Sequence, residues 1–581
     1  MTATATVTAA TLPQICLRKI FNSYNNLDYN ISFKRSLVLI NRYWCETLTP
    51  ELWGDPFENC ETGEGYELLI DTYLKCLPPI VLKNLGLVTD SSSIAFDYPS
   101  YLRHLDPNVI FSGVKIWVEQ TIRPDIDFFE KERRIMAIYC ALLGNFMMRA
   151  KAIQKVTLYE TQFVNFFNFS GAEKCLSTIQ TFHCNVNDDG AIELSNLLQS
   201  ALMVTKKVQK LKICLINIDI CIDSIVRNMA YFIKSQQNLK AISIESFEKD
   251  FRKLWKPISL HFNTLNDIRL VSIKFNERRP FQLQELALIP NLEVIKIYNC
   301  ENLEFSSYQK IIPIAFKKVY RFKVENCRKF PTSFIRNVLS RSNKTMREVG
   351  FRGLDTNVEI LELCIKYCTK ITRIDTTIKR NQLSKLIELL QVCKDLREIY
   401  IDDMIYIDEY TALIGNKRNF SSEDGNEILN RLGKVLPKKV QSFIFNLDWW
   451  FTPQSLESFL SSCAFKELRT LSFPLYKSFS FKHLEVVLKY CSGTLKNLHL
   501  NTNKHIPDRD LEKARDNIEY VIFDGGEFID DDYKYYEGSD DESFDDGFDS
   551  HYDQKIGDIY DDFEYEDYSD SDESESDDYD D

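Results

Sequence analysis

A short apolar phrase of the form apolar-x-x-apolar-x-apolar recurs along most of this chain and leaves few folds open. It reads Leu239-Lys-Ala-Ile242-Ser-Ile244, Leu292-Glu-Val-Ile295-Lys-Ile297, Leu396-Arg-Glu-Ile399-Tyr-Ile401 and Leu468-Arg-Thr-Leu471-Ser-Phe473. Its fourteen copies start at Ile153, Ile179, Val208, Leu239, Leu265, Leu292, Val319, Met346, Ile371, Leu396, Val440, Leu468, Leu495 and Ile518. The starts lie 23–31 residues apart, with one gap of 44. One such phrase arises readily by chance; fourteen near one period do not. Each unit supplies a short strand and a return segment that cannot bury its own apolar face, so neighbours must stack.

That period is the one leucine-rich repeats use. Residues 151–523 are therefore expected to form an α/β leucine-rich-repeat solenoid, a curved parallel sheet with helical returns. The long gap falls at Asp402–Gly425, where Asn416, Asn419, Ser421-Ser422 and Asp424-Gly425 predict a surface loop. Cys300 and Cys327 follow their strands, while Cys368, Cys393, Cys463 and Cys491 close the return before the next strand. These addresses suit small buried residues. With 16 cysteines, no CxxC pair and no HExxH helix, reduced thiols in cytosol or nucleus are expected, without metal.

Charge divides the chain sharply. Asp524–Asp581 holds 27 acidic residues against Lys534 and Lys555, and the remainder has a net charge of about +11 out of a total of −14. At that density self-repulsion opposes compaction, so 524–581 is expected to be a disordered acidic tail. Ser539, Ser543, Ser569 and Ser574 each precede an acid by three residues, as acidophilic kinases prefer. The start MTATATVTAATLP has neither a basic cluster nor an apolar stretch, so no secretory signal is expected. No uncharged apolar run reaches the roughly 18 residues of a membrane span.

Ahead of the repeats, Thr11 and Pro13 can begin a helix that carries Leu17, Ile20, Phe21 and Tyr24 at helical spacing. Phe33, Leu37, Ile40 and Trp44 mark a second amphipathic stretch, and Leu52-Trp53 follows a turn near Pro50. In order and spacing, Leu12-Pro13, Leu17, Ile20-Phe21, Leu39-Ile40-Asn41-Arg42-Tyr43-Trp44 and Leu52-Trp53 resemble an F-box over residues 10–57. Ile15 and Tyr24 depart from that pattern. The spelling is similar to that of the expanded F-box families of fungi. The resemblance implies a substrate receptor that docks on a Skp-type adaptor and through it on a cullin–RING ubiquitin ligase. It also implies adaptor contacts by Leu12, Pro13, Leu17, Ile20 and Phe21, with Trp44 and Trp53 fixing helix packing. A small helical cap on the first repeat is the plain alternative.

Residues 58–150 read as a helical connector and repeat cap, with helices over Glu67–Leu77 and Glu130–Ala152. No phosphate loop, dinucleotide fingerprint or nucleophile elbow occurs. No catalytic residue, cofactor or metal site is expected, and neither membrane nor nucleic acid is expected as a partner. The target would be a protein held on the concave face, where the x positions of the phrase point. Those positions include Lys212, Arg269, Lys296, Arg321, Lys323, Arg347, Arg373, Arg397, Arg469 and Lys496, which predict a basic surface for an acidic or phosphorylated protein, or for the chain's own tail. Two other classes stay open. Acidic-tailed leucine-rich nuclear proteins bind histones and other basic proteins. Leucine-rich GTPase-activating proteins also carry an acidic tail, and Asn187 to Leu197 resembles their repeat type.

Overall fold

The computed structural model describes residues 12–23, 35–57, 64–87, 94–121, 127–159, 164–187, 190–216, 222–247, 250–306, 315–354, 357–378, 382–402, 422–446, 451–463, 467–474, 479–501 and 506–524. Each apolar phrase opens two residues ahead of a strand. In chain order these are β1 (His104–Leu105), β2 (Lys155–Tyr159), β3 (Thr181–Val186), β4 (Lys210–Leu215), β5 (Ala241–Glu245), β6 (Asp267–Val271), β7 (Phe281–Gln282), β8 (Val294–Tyr298), β9 (Leu303–Glu304), β10 (Arg321–Glu325), β11 (Glu348–Arg352), β12 (Arg373–Thr377), β13 (Glu398–Asp402), β14 (Ser442–Asn446), β15 (Thr470–Phe473), β16 (Asn497–Asn501) and β17 (Tyr520–Asp524).

All but β7 and β9 join one 15-stranded sheet in chain order, every neighbour parallel. The chain is thus an α/β solenoid of the leucine-rich-repeat kind. β1 has no apolar phrase of its own and extends the sheet by one strand beyond the fourteen expected. The apolar phrase positions, such as Leu292, Ile295 and Ile297, are fully buried and form one core running from Phe57 to Ile518.

The return segments pack side by side behind the sheet. Helices Ala191–Val204, Ile222–Ser235, Thr332–Arg341, Asn357–Tyr367, Leu383–Val392, Ser422–Gly433, Pro453–Ser462 and Phe481–Cys491 place Leu or Ile on the inner face every three or four residues. Between β6 and β8 the return is instead a 3-10 turn, Leu283–Leu288, with the small β7–β9 pair beside it. Residues 403–421 of the insertion lie outside the described residues. Ser422, Asp424 and Gly425, expected in a loop, begin a helix.

In the middle of the sheet the turn after the strand is as regular as the strand. Ser246, Ser272, Asn299, Asn326 and Gly353, each just past β5, β6, β8, β10 and β11, all have φ between 50 and 62°. Their N–H groups donate to the last strand residue of the following repeat, as in Asn299 N to Glu325 O at 2.9 Å. A Cβ on Gly353 would lie 2.1 Å from Asn326 Oδ1, so glycine fits both the backbone and the space. One step further, the Cys300 and Cys327 thiols reach back to Leu270 O and Ile297 O at 3.5 and 3.6 Å.

Both ends of the core are closed. At the start, helix Pro107–Thr121 packs on β2 and helix Phe128–Arg149 packs against it in turn, burying Ile135, Tyr139, Leu142 and Phe146. At the far end Asp508–Asn517 buries Ala514 alone and turns charged side chains outward, the form a terminal repeat needs in water. The tail, residues 525–581, lies outside the described residues. Among the described residues no helix is long and apolar enough to cross a membrane. None of their His, Cys, Asp and Glu side chains group to hold a metal ion.

Candidate functional site

In-register pairing sets the charged phrase positions in rows across the sheet. Arg321, Glu348, Arg373 and Glu398 form one row, and Lys323, Gly350, Asp375 and Tyr400 the next. Alternating signs then meet. Arg321 grips Glu348 with two hydrogen bonds of 2.7 and 2.9 Å. Arg373 reaches Asp375 at 3.2 Å and Glu398 at 3.1 Å. Lys323 crosses above Gly350, which has no side chain to block it, and meets Asp375 two strands away at 2.8 Å. Arg352 pairs with Glu325 and lies over the Tyr400 ring, 4.8 Å from its centroid. Asn446 donates to the Tyr400 hydroxyl at 3.1 Å.

Burial makes this network strong. Burial alone would push the Asp375 carboxyl up, but Lys323, Arg373 and Arg352 outweigh it and hold Asp375 well below the usual carboxylate range. Glu398 goes the other way: burial raises it, with Glu348 and Asp375 nearby, against Arg373. Lys212 with Glu245 at 3.1 Å and Arg269 with Asp267 at 3.3 Å repeat the pattern on β4–β6, and Lys296 is buried in the same row. The expectation of a net basic face is corrected here. Arg321, Lys323, Arg352 and Arg373 face Glu325, Glu348, Asp375 and Glu398, so the middle of the sheet is close to neutral. Sequence shows the cations at their repeat positions, but the partner carboxylates belong to other repeats.

Four of the expected face residues stand elsewhere. Arg347, Arg397, Arg469 and Lys496 each precede the first residue of a strand and give the sheet only their backbone, as in Arg347 N to Tyr320 O and Thr372 N to Arg347 O. They lie along the edge where the strands begin. There Arg347, Lys370, Thr372, Asp395, Arg397 and Lys439 line a hollow of about 160 Å³. Lys439 bonds Asp395 at 2.6 Å, and its charge, with Arg397 and Arg347 behind it, lowers the Asp395 carboxyl. Lys370 and Arg397 have no carboxylate within ion-pair distance among the described residues.

The N-terminal helices Gln14–Ser23 and Arg42–Leu52 form a separate small core of Leu17, Phe21, Leu37, Trp44 and Leu48, with Leu12, Val38 and Leu52 against it. Asn41 caps the second helix by accepting from Trp44 N at 3.0 Å. Leu17 and Phe21 are therefore held inside the module, which corrects their expected role as outward contacts, and Trp44 packs beside them between the helices; Ile20 is half-buried and Pro13 exposed. The exposed apolar side chains are Ile15, Leu39, Ile40 and Tyr43, none of them among the expected adaptor contacts, with Leu39 82% exposed.

Trp53 also departs from its expected place. It leaves the small core and packs on Tyr98 and Tyr73, with ring centroids 4.0 and 5.5 Å away, at the edge of the main core. Beside it Glu51 takes two hydrogen bonds from Arg103 at 2.7 and 3.1 Å, and Arg18 at 3.2 Å. Arg103 is the residue just ahead of β1, so the helical module is clamped to the first strand of the sheet.

No family model matches this chain, and no curated protein matches it. Among solved structures it is similar to the crystal structure of the Rad7 and Elc1 complex in yeast. That likeness covers 89% of this chain and 86% of the other, at 12% identity and a TM-score of 0.31. A likeness so distant supports no statement of function.

Proposed function

We propose that this chain is the substrate-recognition subunit of an SCF-type cullin–RING ubiquitin ligase. In this reading residues 10–57 act as an F-box that docks a Skp-type adaptor, and the solenoid holds the protein to be ubiquitinated. The observation that carries it is the exposed apolar set Ile15, Leu39, Ile40 and Tyr43 on a module too small to use those side chains itself. A module that merely capped the first repeat would turn its apolar residues inward, as Trp53 does. The role is non-catalytic, with the chain acting as a bridge between two proteins. Cytosol and nucleus are the compartments where that machinery works.

The test separates docking from folding. Ile15→Asp, Leu39→Asp and Ile40→Asp together should abolish co-purification of a Skp-type adaptor, because each buried apolar side chain contributes about 1.5–3 kcal/mol. The helical signal and the melting temperature should stay unchanged. Leu17→Ala with Phe21→Ala should instead unfold the module. Undiminished adaptor binding by the folded triple variant, or no binding by the unaltered chain, overturns the reading.

A further inference from the structure

With the sheet face near neutrality, the excess positive charge of the body must lie elsewhere, and the strand-start edge of the C-terminal repeats holds a concentrated share of it. Arg347, Lys370, Arg397, Lys439, Arg469 and Lys496 follow one another along that edge, strand by strand from β11 to β16. Three carboxylates stand among them. Asp395 is bound by Lys439, Glu519 by Lys496 at 3.0 Å, and Glu467 accepts from Gln441 at 2.8 Å. Among the described residues, Lys370 and Arg397 have no carboxylate partner beside the hollow. The lowering of Asp395 by three surrounding cations shows that the field there favours negative charge.

We propose that the chain's own acidic tail, residues 525–581, docks by its carboxylates along this edge and occupies the hollow between Arg347 and Lys439. The argument is complementarity joined to position. The tail carries 26 of the chain's acidic residues and follows directly on β17, the neighbour of β16. Strands lie about 4.8 Å apart, so the hollow near β12 and β13 is roughly 20–25 Å along the sheet from β17. At about 3.3 Å per extended residue, some fifteen residues cross both that distance and the strand length. Most of the tail's carboxylates lie beyond that point in sequence. Tethering sets its local concentration on the order of millimolar, which solvent-exposed ion pairs need if they are to be occupied. The tail would thereby screen an edge that would otherwise attract any acidic protein. The inference is independent of the adaptor reading and involves different residues.

Zero-length carbodiimide cross-linking of the full chain, read by peptide mass spectrometry, tests it, because the reagent joins a carboxylate to an amine only in direct contact. At about 50 mM salt, tail carboxylates should link to Lys370, Lys439 and Lys496 at least ~5-fold more often than to Lys83 or Lys174. At about 500 mM the preference should vanish as the Debye length shrinks to about 4 Å. Arg347→Glu with Arg397→Glu should remove it at low salt; the salt comparison on the unaltered chain reads the same contact should that variant misfold. Mixing isotopically light and heavy chains shows whether links stay within one molecule. Even labelling of all exposed lysines, a preference that survives both the charge reversal and high salt, or links mainly between light and heavy chains would overturn the proposal.

Discussion

Asp375 is the residue on which the centre of the sheet turns. It is buried, it takes Lys323 and Arg373 from two strands, and Arg352 adds a third positive charge nearby. Removing one partner from a buried pair typically costs about 3–5 kcal/mol, since the remaining charge stays desolvated. Asp375→Asn should therefore lower unfolding stability at neutral pH by roughly 3 kcal/mol in denaturant melts. The pH dependence follows from the same charges. In the unfolded chain Asp375 titrates near 3.9, and in the fold it titrates lower. Its contribution is complete above about pH 4 and is lost as pH falls through the folded-state value. Asp375→Asn should flatten the acid limb of a stability-versus-pH curve; an acid limb of unchanged slope would show that the network does not govern it.

At the scale of a strand, Gly350 is what lets β10 and β12 interact across β11. A Cβ there would stand 2.9 Å from Lys323 Cγ and 3.3 Å from Glu325 Oε1. Gly350→Val should cost about 1–3 kcal/mol by crowding, and it should also part Lys323 from Asp375. A double-mutant cycle with Asp375→Asn separates the two effects. Strong non-additivity means the glycine acts through the ion pair, and simple additivity means it does not. This element also shows what the sequence discloses and what it withholds. The strands were legible because apolar spacing is local: every phrase from Ile153 to Ile518 opens two residues before one. β1 was not, because two residues carry no period. The charge of the face was hidden because Lys323 and Asp375 are 52 residues apart, and only register brings them together. In the N-terminal helices the apolar residues were found, but one helix cannot say which stripe faces its neighbour. Leu17 turned inward, and Ile15 and Leu39 outward.

Taken whole, the solenoid is one continuous core with a polar helix at its far end and two helices at its start, so its stability rests on neighbours. A chain ending at Ser342 should expose the layer of Val319, Phe322, Val324 and Phe334 and aggregate, whereas one ending at Asp524 should melt in a single sharp transition. Size-exclusion chromatography and calorimetry check this, and equal behaviour of the two chains would argue against a cooperative stack. One feature of the edge reaches beyond stability. Arg347, Arg397 and Arg469 lend the sheet only N–H and C=O groups, which any residue but proline can supply. Their side chains are free to drift under selection while the face, locked by its cross-strand partners, is not. A gene encoding such a protein could be retuned along that border by single substitutions, changing whom the molecule meets without putting its folding at risk.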